Sequence, residues 1–132
     1  MSAPWRWISP SLIYAIHDQQ LAEHGGLPGI RDQGALESAL ARPQNLAAYG
    51  EPDAAALAAA HAFGLARNHG FVDGNKRTAW IAARLFLADN AVTLVFDKMD
   101  AVRVMEGLAA GSVGEEAFAA WLRERLVDNV KP

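Results

Sequence analysis

The chain has 132 residues, 52% hydrophobic and 20% charged, enough for one domain with a buried core, which argues against both a multidomain assembly and an intrinsically disordered tail. Cysteine is absent, so disulfides, thiolate metal sites, iron–sulfur clusters and thiol nucleophiles are excluded; a net charge of −3 argues against sequence-independent attraction to nucleic acid or to an anionic membrane. The 27 alanines, about a fifth of the chain, favour helix and disfavour an all-β sandwich or barrel.

The opening MSAPWRWISP has one Arg and no apolar run with a cleavage site, and Arg67, Asp73 and Arg84 interrupt the apolar windows. Neither a signal peptide nor a membrane span is expected, and the expected location is cytoplasmic.

In chain order, Ser9 as N-cap and Pro10 at the first helical position open a helix with Leu12, Ile13 and Ile16 on its apolar stripe, ending near Gly25-Gly26. The loop GGLPGI follows. A short second helix runs from Gly34 to about Ala41, with Pro43 expected just beyond its end. Pro52 or Asp53 opens an Ala-rich third helix that stops at Asn68-His69-Gly70. After GFVDG, a fourth helix from Asn75 to about Asp89 is apolar nearly all round, which predicts a central, buried helix. AVTLVF (91–96) suits a short extended piece, and Asp97 caps a fifth helix carrying Ala101, Val104, Met105 and Leu108. A last helix begins near Ser112, spaced from Glu115 as in a capping box, or near Gly114, and carries Phe118, Trp121, Leu122 and Leu126. The expected architecture is one compact all-α domain over residues 1–132, without internal repeats.

The chemistry concentrates in NHGFVDGNKRT (68–78), at the junction of two apolar helices. The N-terminus of the fourth helix offers free N–H groups and a positive dipole end, and Gly74 lets the backbone approach an anion closely. Asn75, Lys76 and Arg77 add donors, with the Arg77 guanidinium suited to clamp two phosphate oxygens and Lys76 acting as a mobile point charge. Asp73 together with phosphate oxygens suits Mg²⁺. His69, with an ordinary pKa of ~6.5, suits a general base for an incoming hydroxyl, and Phe71 between the polar groups suits a core anchor.

A purely structural reading of the stretch makes NHG a helix stop, DGN a turn and KRT an exposed first turn. Cations at a helix N-terminus are unfavourable by ~0.3–1 kcal/mol, however, and a bound phosphate would reverse that sign. No Walker loop, dinucleotide fingerprint, H-E-x-x-H or protein-kinase signature is present. His61 is expected to pack inside its helix, while His17 and His24 are expected at the surface. Arg67 and Arg84 could add charge near a phosphate. Arg31 and Asp32 suit either a target-docking flap or, for Asp32, a helix cap, and Trp5, Trp7, Trp80 and Trp121 suit packing.

HGFVDGNKR resembles the Fic motif H-x-F-x-[D/E]-G-N-x-R, and Lys76 makes it similar to the death-on-curing (Doc) branch of that superfamily. GIRDQGALESALARPQ (29–44) resembles the segment that Doc-type toxins carry upstream. The resemblance implies the Fic helical fold with a short extended flap. It also implies His69 as catalytic base, Asp73 as Mg²⁺ ligand, Gly74 and Asn75 as anion nest, Lys76 and Arg77 as phosphate-binding groups, and ATP with Mg²⁺ as co-substrate and cofactor. Lys76 stands where Fic adenylyltransferases usually have Gly. Doc-type proteins with Lys there resemble kinases that bind ATP in the opposite sense and transfer the γ-phosphate to a threonine of elongation factor Tu, as toxins of type II toxin–antitoxin systems.

The inhibitory pattern [S/T]-x-x-x-E-[G/N] is not matched, because Ala117 follows Glu116 in SVGEEA. The implied inhibitor is instead a Phd-like antitoxin whose disordered tail folds on the toxin. AMP transfer, or a catalytically silent antitoxin-binding module, are the alternatives, and no direct contact with nucleic acid or membrane is expected. One departure is Gly70, where the family often has Pro; glycine would loosen the loop without removing a chemical group.

Overall fold

In the computed structural model, residues 5–128 are described; residues 1–4 and 129–132, the ends of the expected domain, lie outside the described residues. The elements are α1 (Pro10–His24), α2 (Gln33–Tyr49), α3 (Ala54–Asn68), α4 (Asn75–Asp89), β1 (Val92–Leu94), α5 (Lys98–Ala110), α6 (Glu115–Arg123) and β2 (Leu126–Asp128). The fold is all-α, with one small antiparallel ribbon in which Val92, Thr93 and Leu94 pair with Asp128, Val127 and Leu126.

The alanine excess explains the arrangement of layers. Residues 57–62 of α3 are all buried, as are Gly64, Leu65 and Ala66, and the short side chains let the neighbouring helices close in on it. The tightest crossing is with α2: a Cβ placed on Gly64 would lie 3.0 Å from Ala39 Cα. α3 is therefore the central helix. The motif helix α4 buries Thr78, Ala79, Ala82, Ala83, Phe86 and Leu87 against it but leaves Lys76, Arg77 and Arg84 exposed, so its expected burial all round is corrected. Its apolar outer residues are covered only in part, by the N-terminal tryptophans and the ribbon.

Local signals set most helix starts. Ser9, Asp32, Asp53 and Asp97 each accept a hydrogen bond from the backbone N–H three residues on, capping α1, α2, α3 and α5. Leu12 is exposed, and the buried stripe of α1 is Ile13, Ile16, His17 and Gln20.

Two boundaries differ from the sequence reading, and of the two starts it offers for the last helix the structure takes Gly114. α2 continues through Pro43 to Tyr49, because Pro43 is itself buried and its packing outweighs the lost hydrogen bond of roughly 0.5–1.5 kcal/mol. α6 starts after Gly114 without a side-chain cap, and Ser112 Oγ donates to Gly107 O at 3.4 Å instead of forming the box. α6 also ends at Arg123, so Leu126 belongs to a strand, where pairing with the 92–94 segment satisfies backbone groups that a longer helix would have used.

Candidate active site

The site is built on the turn between α3 and α4, the two helices with the most extensive mutual packing. α3 ends on His69, which adopts the left-handed conformation (φ 50°, ψ 49°) and leaves its side chain exposed. Non-glycine residues are uncommon in this region, though His is among those enriched there, and the conformation turns the chain sharply into the loop 70–74. Phe71 is 1% exposed and anchors that loop in the core, as expected. Gly74 (φ 79°) is the N-cap of α4, which has no side-chain cap and no acidic residue in its first turn.

Asn75 has a loop-closing part that the sequence does not announce. Its side chain is buried and closes the loop on itself: Oδ1 accepts from Phe71 N–H at 3.0 Å, and Nδ2 donates to Phe71 O at 2.9 Å. These bonds use the amide oxygen and one of its two Nδ2 hydrogens, and the Asn75 backbone N–H at the start of α4 can serve an anion nest. Lys76 and Arg77 are exposed, and neither makes an ion pair or a side-chain hydrogen bond among the described residues. The result is an uncapped helix end with two unneutralised cations beside an exposed imidazole and the half-buried carboxylate of Asp73.

The loop is held from two distant segments. His17, expected at the surface, is 3% exposed. It lies flat on Phe71 with ring centroids 3.6 Å apart, and its Nε2–H donates to Asp73 O at 2.7 Å. The burial arises because α1 packs on α4, a contact 56 residues away that an isolated helical His does not announce.

On the other side, the segment after α1 pairs with the loop. Val72 N–H donates to Gly29 O, Arg31 and Asp32 N–H donate to Gly70 O, and an isolated antiparallel bridge joins Ile30 and Phe71. Leu27 N–H donates to Asp73 Oδ2 at 2.7 Å, fixing the carboxylate and leaving Oδ1 free. This is the expected short extended flap. Asp32 in it is the cap of α2, accepting from Ala35 N–H at 3.0 Å, while the Arg31 side chain is exposed.

Gly70 does not loosen the loop. A Cβ there would come within 2.8 Å of Leu36 Cβ and 3.0 Å of Leu36 Cα, so glycine is what allows the loop to sit on α2. Gly70→Ala is expected to cost about 1–3 kcal/mol in urea denaturation, the usual range for overpacking against backbone; unchanged stability would show that α2 yields freely.

Arg67 is occupied elsewhere. Its Nε and Nη2 donate to Leu108 O and Val113 O, and its guanidinium stacks on Phe63, tying α3 to the end of α5. Arg84 lies beside Trp80 and Phe96 on the wall of a cavity of about 630 Å³ that also touches Lys76 and Arg77. His24 is exposed and His61 is packed between rings, both as expected. Trp5, Trp7, Trp80 and Trp121 are half-buried packing residues.

This architecture and loop define a helical Fic-type domain, and the Fic/DOC family model matches residues 7–87. The chain belongs to the Fic/DOC family. It is 40% identical over 119 residues to Protein kinase doc of Escherichia phage P1, covering 89% of this chain and 94% of that protein. It is 45% identical over 103 residues to Toxin Doc of Mycolicibacterium smegmatis, covering 74% and 78% respectively. It is thus a Doc-type member. Among the described residues, no helix is long and apolar enough to cross a membrane.

Proposed function

We infer that the chain is the toxin of a type II toxin–antitoxin system, an ATP-dependent kinase that phosphorylates a Ser or Thr hydroxyl of a translation factor, with elongation factor Tu as the candidate target. The observation that carries this reading is the juxtaposition of an exposed, left-handed His69 with an uncapped α4 N-terminus bearing unpaired Lys76 and Arg77. The relatives named Protein kinase doc and Toxin Doc support the same direction.

In this reading the γ-phosphoryl group lies against the α4 N–H groups and the Arg77 guanidinium, with Lys76 beside it. His69 takes the proton of the attacking hydroxyl as its oxygen bonds to phosphorus; the bond from phosphorus to the β,γ-bridging oxygen breaks, and ADP leaves. A target segment would lie along the flap, where Leu27, Ile30 and Val72 are exposed.

Among the described residues no group of three or more His, Asp or Glu side chains is arranged as a metal cage. The single Asp73 carboxylate, with Oδ1 free, fits Mg²⁺ that arrives on phosphate oxygens and keeps its waters; bound there it would neutralise phosphate charge. Restraint would come from a Phd-like antitoxin, and the setting is cytoplasmic.

The test is incubation with purified elongation factor Tu and ATP labelled at either the α or the γ position. Label from γ alone is the expected result. Label from α assigns AMP transfer instead, and no label from wild type, indistinguishable from His69→Ala, assigns a silent binding module.

A further inference from the structure

Two hydrogen bonds from distant segments fix Asp73 just before α4: Leu27 N–H holds its carboxylate through Oδ2, and His17 Nε2–H holds its main-chain carbonyl at 2.7 Å. We propose that His17 is a positioning residue for phosphoryl transfer, holding the Asp73–Gly74 peptide in the orientation that turns the Gly74 N–H toward a bound phosphate. The proposal rests on the phosphate-binding reading above and adds to it a residue on α1, outside the motif.

The effect is transmitted by the peptide plane. The bond is trans, so the Asp73 C=O and the Gly74 N–H point in opposite directions. With the carbonyl turned to His17, the N–H is turned away from it. That N–H has no acceptor among the described residues, and it belongs to the N-cap of a helix without a side-chain cap, so it joins the free donors of the first turn. Gly74 (φ 79°) does not hold the plane by itself, because glycine takes other conformations about as readily. A rotated plane would present the carbonyl oxygen to the anion in place of the N–H, exchanging attraction for repulsion.

The His17 ring is held firmly enough to set that plane. It stacks on Phe71 at an interplanar angle of 9°, and a Cβ placed on Gly74 would lie 3.4 Å from its Cδ2 and 3.5 Å from its Nε2, so the ring fits between Phe71 and the start of α4. A carbonyl only accepts, so Nε2 carries the proton; Nδ1 faces the exposed Asp18 carboxylate at 3.9 Å, outside hydrogen-bond range. Packing on Phe71 alone would be served by a phenyl ring at position 17. The Nε2–H is what a phenyl ring lacks.

The test compares His17→Phe, which keeps a flat ring on Phe71 and removes the donor, with His17→Gln, which keeps an N–H donor and removes the ring. Titration calorimetry with inorganic tripolyphosphate and Mg²⁺ reads the phosphate seat without turnover, and urea melts read stability. His17→Phe is expected to bind tripolyphosphate about three- to tenfold more weakly than wild type, the worth of one hydrogen bond, and His17→Gln to bind within about twofold of wild type. Stability should rank the other way, with His17→Gln the less stable because it gives up the buried stack. A role in packing alone would make binding follow stability. In wild type the Gly74 amide proton resonance should move when tripolyphosphate is added, a readout that does not depend on how the variants fold.

Wild-type affinity in His17→Phe would overturn the proposal, as would binding by His17→Gln as weak as that by His17→Phe. A Gly74 resonance that stays in place while tripolyphosphate binds would overturn it too, and each of these results spares the phosphate seat itself. Failure of wild type to bind tripolyphosphate would remove the phosphate-binding reading together with the role of His17.

Discussion

His69→Ala is expected to lower the rate of phosphoryl transfer to the target by about 10²- to 10⁴-fold, the usual contribution of a positioned general base. The loss should fall on kcat, with little change in KM for ATP, because the seat for the phosphates is made by the α4 N–H groups and Arg77 rather than by the imidazole. Stability should change by less than ~1 kcal/mol. The side chain is exposed, so the change comes from the left-handed backbone at position 69, which Ala adopts somewhat less readily than His. His69→Asn is the sharper variant, since Asn also tolerates this conformation but cannot take the proton. Initial-rate measurements beside urea melts check the pair. Activity within threefold of wild type in both would remove His69 from the reaction.

The outline of this site was legible because its signals are local. Asp53 with the Ala-rich run, the Asn68-His69-Gly70 stop and the Gly74-Asn75 start set both ends of the loop from short-range chemistry, and the structure places α3 and α4 between those marks. What holds the loop was not legible, because it comes from elsewhere in the chain. His17 and Leu27 lie 56 and 46 residues before Asp73, and nothing around them in sequence distinguishes a clamp from an ordinary helical His or loop Leu. Gly70 misled for the same reason: its constraint is the backbone of α2, not its own flexibility. Pro43 and the Leu126 strand show the converse, in which a local stop signal or a helical period is overridden by burial or by a partner strand. Asn75 adds a part that the motif does not announce: its amide also closes the loop through Phe71 N–H and Phe71 O.

The second large effect concerns stability against pH and arises away from the site, at His61. This side chain is 6% exposed, with Phe86 at 4.9 Å and Trp7 at 6.4 Å between ring centroids, and its Nε2 has no hydrogen-bond partner. Burial alone lowers its pKa from 6.5 to about 4. Between those values the unfolded chain binds a proton that the folded chain does not, so stability is full above pH 6.5 and falls as the pH drops toward 4, below which both states are protonated. A shift of that size corresponds to roughly 3 kcal/mol. Asp53 also titrates on the acid side, where the hydrogen bond from Arg123 holds its carboxyl below the ordinary value, but that loss begins only near and below pH 3.8. His61→Leu keeps an apolar side chain of similar bulk between the rings and removes the titration. Urea denaturation at pH 7 and pH 4.5 should therefore show wild type losing about 2–3 kcal/mol more than His61→Leu over that interval. Parallel losses in the two proteins would place the acid sensitivity in other groups and show that the His61 pocket opens to water before the rest of the core.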